Sequence, residues 1–295
     1  MAEPHTTEPG REEIDRAPRH RATLVASERL TPPDSPEEVR ELILEVDAAL
    51  PPHHPGQSVA VFVPGPHLHG DRELVRLYTV ADLPDAPGGT DRRRLRLCVR
   101  RCSWLDPHTG ERHPGVASNW LCDLPDGTEL EIAGPLGAPF PVPDDPDADL
   151  VLVGLGTGIA PFRALLRQLH ARQPDRRGRV RLFYGARSGL ELLYLNDWRD
   201  DVAQYLDEDT WRAIEALSPR PEWDEPADLE GALAAHEAEL GELLRAPDTQ
   251  VYLAGLARVR DAFDAACARI LGSDARWARR RAELVAGGRW HEVVY

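Results

Sequence analysis

Short apolar runs recur through the first half of the chain, at 41–46, 58–63, 74–80, 95–99 and 129–132, and clusters of Pro and Gly separate them. Runs of this length between turn-forming residues predict strands, and their succession without helical periodicity predicts an antiparallel β-barrel over 22–143. Beyond Leu150 the texture changes. The stretches 150–154, 180–184 and 250–254 read as buried strands, and they alternate with helical patterns at 160–172, 198–206, 232–245 and 259–271 before a last short strand at 291–295. Such alternation predicts a doubly wound parallel sheet over 144–295, with ligands bound outside the carboxyl ends of its strands. Between the two lies a Pro- and Asp-rich bridge, 140–149, which sets the expected domain boundary. Residues 1–21 are rich in Glu, Pro, Arg and Thr and nearly free of large apolar side chains, which predicts a disordered tail.

A chain of 295 residues, 42% of them hydrophobic, has enough apolar material for two cores. No run approaches the roughly 20 apolar residues that cross a bilayer, and the first residues lack the apolar centre of a signal peptide. The expectation is a cytoplasmic protein that does not enter a membrane. Four cysteines at 98, 102, 122 and 267 match neither a disulfide framework nor the spacing of an iron–sulfur or zinc site, so no metal is expected. The net charge of −15 argues against nucleic-acid binding, which needs a concentrated positive face. All basic residues counted are arginine, clustered at 92–96, 100–101 and 276–281. Solvated faces and a basic docking patch for an acidic partner both accommodate those clusters.

The densest chemical signal is Val151-Leu152-Val153-Gly154-Leu155-Gly156-Thr157-Gly158-Ile159-Ala160-Pro161-Phe162. A buried strand here breaks into a Gly-rich turn that opens a helix, where backbone N–H groups and the macrodipole favour a diphosphate. Glycines alone also suit an ordinary strand–turn–helix. Upstream, Arg76-Leu77-Tyr78-Thr79 sets a guanidinium and an aromatic ring on one face of a strand and a hydroxyl on the other. A guanidinium can clamp a diphosphate while the ring stacks on a planar heterocycle. Then Gly115-Val116-Ala117-Ser118-Asn119-Trp120-Leu121 reads as a helix start with free N–H groups.

Taken in this order, the three elements resemble the plant-type ferredoxin–NADP reductase family. The likeness extends from about Gly56 to Tyr295 and includes Leu97-Cys98-Val99-Arg100, Gly134-Pro135-Leu136-Gly137 and Val251-Tyr252-Leu253-Ala254-Gly255-Leu256. The resemblance implies a barrel that binds FAD and a second domain that binds NADP(H). It also implies hydride transfer between the two, and single electrons exchanged with a ferredoxin or flavodoxin. For FAD it implies Arg76, Leu77, Tyr78 and Thr79, then Cys98, Val99 and Arg100 lining the site, and Gly115, Val116, Ala117 and Ser118 at the pyrophosphate. Trp104 falls where an aromatic stacks on adenine, and Thr157 and Tyr295 complete the flavin set. For NADP(H) it implies Arg100, Gly156, Thr157, Gly158 and Pro161 at the pyrophosphate. Gly185, Ala186, Arg187, Ser188, Tyr194, Ser218 and Arg220 would hold the adenosine half, and Ala254, Gly255 and Leu256 would lie by the nicotinamide. Thr79, bonded near the reactive edge of the flavin, and Tyr295, gating the nicotinamide, are the expected catalytic residues.

Three departures accompany the likeness. Ala254 stands where the family usually has a cysteine. Glu292 comes one place early, with Val293 in the usual acidic position, and on a strand that shift turns a side chain to the opposite face. Finally, Ser218-Pro219-Arg220 displaces the arginine of the usual Ser-Arg pair, and Asp228 falls near the expected stacking tyrosine. NADP(H) is the expected nucleotide, with its 2′-phosphate contacts the weakest part of the match. The 184–187, 254–256 and 286–290 segments look most like the reductase part of benzoyl-CoA epoxidase-type systems. An oxygenase-associated acceptor is therefore an alternative partner, and a non-catalytic flavin or nucleotide sensor is a further reading.

Overall fold

A computed structural model of the chain describes residues 9–65, 72–85, 92–205, 207, 209–223 and 225–295. Two compact units emerge, Pro9–Pro139 and Phe140–Tyr295. The division falls at Pro139, ahead of the boundary expected at 143. Phe140 is almost fully buried and packs its ring against Phe162 and Tyr252, which draws it into the second core.

The first unit runs α1 (Arg11–Arg16), β1 (Arg19–Arg29), β2 (Val39–Asp47), β3 (Ser58–Pro64), β4 (Glu73–Thr79), β5 (Arg92–Arg100), β6 (Ser103–Leu105), β7 (Arg112–Pro114), α2 (Val116–Asp123) and β8 (Glu129–Leu136). Six strands form one antiparallel sheet in the order β4-β3-β8-β1-β2-β5. An antiparallel bridge between Val80 and Leu97 joins its two edge regions and closes it toward a barrel. Alternation sets the interior: Leu42, Leu44 and Val46 of β2, with Val59, Val61 and Val63 of β3, point inward onto Leu121 of α2. The intervening Ala60 and Phe62 would otherwise face water. They are covered by Ile14 and Ala17, which pack with Ala133 and Leu136 on the outer face of the sheet.

That outer cluster corrects the expected 1–21 tail over its described part. Arg11–Arg16 is a helix, and β1 begins at Arg19. With one large apolar residue, Ile14, the helix has no amphipathic pattern of its own. The chain is held instead by that contact, by Glu13 accepting from Gly137 N at 3.1 Å, and by Arg19 lying 3.8 Å over the Phe62 ring while paired to Glu73 and Glu131. The earlier part of the tail, 1–8, lies outside the described residues.

The second unit runs β9 (Leu150–Leu155), α3 (Ile159–Arg172), β10 (Val180–Ala186), β11 (Trp211–Leu217), α4 (Leu229–Ala235), α5 (Glu237–Arg245), β12 (Gln250–Gly255), α6 (Arg258–Leu271), α7 (Asp274–Ala286) and β13 (Trp290–Val294). Its five strands form a fully parallel sheet in the order β11-β10-β9-β12-β13. The chain leaves β9 in one direction for β10 and β11, then returns to the other side for β12 and β13. The switch point therefore lies between the carboxyl ends of β9 and β12.

Two helical expectations are corrected here. Over 198–206 no α-helix forms among the described residues. Asn196 Oδ1 accepts from Trp198 N and Arg199 N, which fixes a turn, and only a short 3₁₀ segment follows at Ala203–Tyr205; Leu206 lies outside the described residues. The 232–245 stretch is two helices that break at His236, and the first starts earlier, at Leu229, because Asp228 caps it. β11 and α7 come with no expectation from the pattern. No helix among the described residues is long and apolar enough to cross a membrane.

Candidate functional site

The Gly156–Gly158 turn sits at this switch point. β9 is buried throughout, and the chain leaves it through Gly156 at φ +53° into α3. A Cβ on Gly158 would lie 2.3 Å from the carbonyl oxygen of Ala254, so β12 can approach the turn only because residue 158 has no side chain. Pro161 falls in the first turn of α3, where its missing N–H costs no intrahelical bond. Tyr184, fully buried on β10, donates from its hydroxyl to Gly156 O at 2.9 Å and accepts from Leu193 N at 3.1 Å. It ties the turn to the loop after β10, a role that the strand pattern did not reveal.

The chain terminus reaches the same place. Tyr295 N donates to Gly255 O at 3.0 Å, Ala257 N donates to Tyr295 O at 3.2 Å, and the Tyr295 hydroxyl shares a 2.7 Å hydrogen bond with Thr157 Oγ1. The Tyr295 ring stays 49% exposed and Leu256 beside it 42%, so the turn carries an uncovered apolar surface. Ala254 and Val293 are paired neighbours on the face of the sheet toward α3, both buried. Glu292 points the other way. Its buried carboxylate takes Arg260 through Nη2 at 2.9 Å and Nε at 3.1 Å, and Trp290 Nε1 at 3.1 Å. The register therefore does not slip, and Ala254 has Val293 as its strand partner.

Residues expected to read the adenosine half are mostly engaged with the chain itself. Arg187 Nε lies 3.5 Å from Glu191, and Arg220 Nη1 lies 3.6 Å from Glu225. Ser218 accepts from Arg220 N at 3.2 Å, and Asp228 accepts from Gly231 N at 2.8 Å as the cap of α4. Gly185 and Ala186 close β10, both buried, and Ser188 is half-buried beyond them. A Cβ on Gly185 would strike Leu155 at 2.1 Å. Tyr194 is fully buried and lies under the Arg163 guanidinium at 4.7 Å, with φ +62°.

In the first unit, β4 presents the expected alternation. Tyr78 and Leu74 pack on the barrel interior, Leu77 packs on the outer cluster, and Arg76 is exposed, donating from Nη1 to Val75 O at 2.8 Å. Thr79 Oγ1 is 3.1 Å from Ser58 Oγ, a partner the motif did not indicate. Burial pushes the Tyr78 phenol well above its usual range, and the nearby Cys102 and Cys122 push it the same way. That neighbourhood places Tyr78 against α2, whose Ala117, Leu121 and Cys122 share its core. The first N–H groups of α2, on Val116, Ala117 and Ser118, precede any intrahelical acceptor. Ser118 Oγ accepts from Cys102 N at 3.0 Å, and Asn119 Nδ2 donates to Cys102 O and Gly115 O, which fastens the helix start to the loop after β5. Trp104 is 49% exposed on the β6–β7 hairpin and leans on His113 at 4.8 Å. Along β5, Cys98 is buried and Arg100 Nε pairs with Glu37 at 2.7 Å. Val99, expected to line the site, turns its side chain into the interior, with no exposed surface.

Several arginines of the clusters are engaged in ion pairs and backbone ties. Arg92 pairs with Glu45, Arg96 with Glu41 and Asp82, and Arg101 with Glu38 and Asp123. On α7, Arg280 donates to Leu244 O and Ala246 O, and Arg281 pairs with Asp264.

Comparison with known proteins agrees with this geometry. The model of the oxidoreductase NAD-binding domain matches residues 152–264. The chain is 31% identical over 279 residues to a ferredoxin–NADP reductase of Thermosynechococcus vestitus, an alignment covering 92% of this chain and 72% of that protein. It is 30% identical over 273 residues to the chloroplastic leaf isozyme 1 of ferredoxin–NADP reductase from Oryza sativa subsp. indica, covering 90% and 74%. Among solved structures, ferredoxin–NADP⁺ reductase from Plasmodium falciparum superposes with a TM-score of 0.68 at 18% identity, over 93% of this chain and 95% of that one.

Proposed function

This chain belongs to the plant-type ferredoxin–NADP reductase family of oxidoreductases, and from that membership we propose an FAD-dependent enzyme that passes hydride between a nicotinamide dinucleotide and its flavin. Its other half-reaction exchanges single electrons with a separate protein of the ferredoxin or flavodoxin type. The observation that carries the reading is the Gly156–Gly158 turn, placed at the switch point of a parallel sheet with Tyr295 bonded to Thr157 over it.

The first unit has donors that suit a flavin dinucleotide: an exposed guanidinium at Arg76, the Tyr78 ring, the open first turn of α2 and the exposed Trp104 indole. Arg76 and the N–H groups of Val116 and Ala117 would hold the diphosphate, Tyr78 and Trp104 would stack on planar rings, and Thr79, oriented by Ser58, would bond a ring heteroatom. FAD when bound supplies the exchange between two-electron and one-electron steps, which no side chain can perform. The chain contributes position. The α3 N-terminus and Gly158 set the dinucleotide pyrophosphate, and Leu256 offers apolar surface to the nicotinamide. Tyr295 must yield part of its place for that ring to arrive.

The test is to purify the chain, saturate it with FAD, and mix it anaerobically with NADH and with NADPH. Bleaching of the flavin absorbance by at least one nucleotide is expected. A protein that does not retain FAD, or whose flavin stays oxidised with both, would sink the proposal.

A further inference from the structure

We infer that this chain selects the dinucleotide lacking a 2′-phosphate, NADH, and that Glu225, Asp228 and Asp261 set the choice; the inference rests on reading the Gly156–Gly158 turn as the dinucleotide site. Beside that turn, at the carboxyl ends of β9 and β11, a cavity of about 450 Å³ opens between Leu155 and the starts of α4 and α6. A dinucleotide whose pyrophosphate sits on the turn runs across neighbouring strand ends, so its adenosine half falls in this cavity. The site itself stands on the sheet topology and the family match, and the charges decide only what it accepts.

Those charges oppose a phosphate. Glu225, Asp228, Glu230 and Asp261 line the cavity, and Arg258 is the single arginine among the described lining residues. The two arginines expected at the adenosine half lie near carboxylates, Arg220 at 3.6 Å from Glu225 and Arg187 at 3.5 Å from Glu191. Ser218 is turned onto its own loop, accepting from Arg220 N. The Asp228 carboxylate is fixed in the cavity wall by its bond from Gly231 N. A 2′-phosphate would bring nearly two negative charges into a cavity whose described lining carries four carboxylates and one guanidinium. A ribose 2′-hydroxyl needs the opposite: it donates a hydrogen bond, which a carboxylate can accept.

The sign of the salt dependence separates the two cases. Repulsion is relieved as salt screens it, whereas phosphate recognition by cations weakens. With the FAD-loaded protein, NADH is expected to exceed NADPH in kcat/KM by at least about tenfold at low salt, a difference of about 1.4 kcal/mol. The KM for NADPH should fall as salt rises from about 20 to about 300 mM, through one Debye-length regime to a shorter one. Calorimetric titration with 5′-AMP and with 2′,5′-ADP reads the same cavity without any redox step, and 5′-AMP is expected to bind more tightly. Glu225→Gln, Asp261→Asn and Asp228→Asn, the last retaining an N-cap acceptor, should each shift the NADPH-to-NADH ratio severalfold upward. Preference for NADPH with a KM that rises with salt, or tighter binding of 2′,5′-ADP than of 5′-AMP, would overturn the inference and leave the reductase reading intact. Should neither nucleotide reduce the flavin, the reductase reading fails, and the calorimetric comparison still decides the nucleotide.

Discussion

Removing Tyr295 should tighten nicotinamide binding, by an amount that the structure bounds. Among the described contacts, a hydrogen bond and the burial of its ring hold the side chain over the turn. The hydrogen bond of its hydroxyl to Thr157, 2.7 Å long and partly solvated, contributes about 1 kcal/mol net. The ring is about half covered, 49% of the residue being exposed; half of the ~200 Å² that a tyrosine buries, at ~25 cal/mol/Å², gives about 2.5 kcal/mol more as an upper figure. A nicotinamide ring that needs this surface must first displace those contacts, so the open form is the minor population and the apparent affinity is reduced by its fraction. Together, about 3.5 kcal/mol corresponds to a ceiling of roughly 400-fold. Tyr295→Ser is therefore expected to lower the Kd for the oxidised dinucleotide by 10- to 100-fold, and Tyr295→Phe and Thr157→Val, which remove only the hydrogen bond, by about fivefold each. Titration of the flavin-loaded protein, followed by the flavin difference spectrum, measures all three. Values within twofold of the parent for Tyr295→Ser would refute the idea that this side chain occupies nicotinamide space. A fivefold gain in Tyr295→Phe alone, without one in Thr157→Val, would refute the role given to the hydrogen bond.

Gly158→Ala places a methyl 2.3 Å from Ala254 O and 2.6 Å from its carbonyl carbon, so the end of β12 must retreat. A loss of about 1–3 kcal/mol in thermal or denaturant unfolding is expected, together with weaker dinucleotide binding, and parent-like values for both would contradict the packing argument. Burial without an ionised partner depresses His291 to about 4 from an ordinary 6.5, where it stacks on Tyr252 at 4.8 Å. The folded state stays neutral while the unfolded chain takes a proton below pH 6.5, so stability is lost as pH falls from 6.5 toward 4 and is untouched above. Between pH 7.5 and 5 this contributes about 2 kcal/mol. His53, lowered in the same direction by burial, adds to the trend, so the measurement compares denaturant midpoints of parent and His291→Phe, whose acid loss should be smaller. Equal acid sensitivity in the two would tell against it. Glu292→Gln leaves Arg260 and Arg281 facing a neutral amide on the buried side of β13 and should cost roughly 2–4 kcal/mol. An unchanged melting temperature would show that the pair does not hold the C-terminal strand.

Strands with a clear inside and outside were legible: β2, β3, β8, β9 and β12 all fall on apolar runs bounded by turn residues. Trp-Arg-Ala-Ile-Glu-Ala-Leu, by contrast, has the composition of a helix and forms β11 because β10 supplies a parallel partner along its full length. The Arg-rich α7 hides its core contacts in two positions, Trp277 and Leu284, seven residues apart, and in polar ties such as Trp277 Nε1 to Asp264. Over 198–206 the apolar spacing suits a helix, but Asn196 takes the backbone N–H groups first. At the site, the glycines could be read because backbone geometry leaves few substitutes for them. The pairings could not. Glu292 with Arg260 and Arg220 with Glu225 depend on which side chains the fold brings within about 4 Å, and nothing local to either residue specifies that.

The departures from the family pattern fall on one kind of feature. The turn keeps features that suit a dinucleotide on the proposed reading: the positive φ at Gly156, the close approach at Gly158, and the tether of Tyr295 to Gly255 and Thr157. What differs is side-chain chemistry. Buried Ala254 and Val293 stand beside the turn where a thiol and a carboxylate would otherwise be, and the displaced carboxylate of Glu292 has become part of the clamp between β13 and α6. Hydride transfer between two bound cofactors requires the rings to meet at the right distance and angle, and takes no proton from the protein in doing so. A chain that keeps the geometry and gives up titratable groups can therefore keep the transfer step. The same exchange at the adenosine end, carboxylates lining the cavity and arginines already paired, alters which nucleotide is accepted without touching the place where the rings meet.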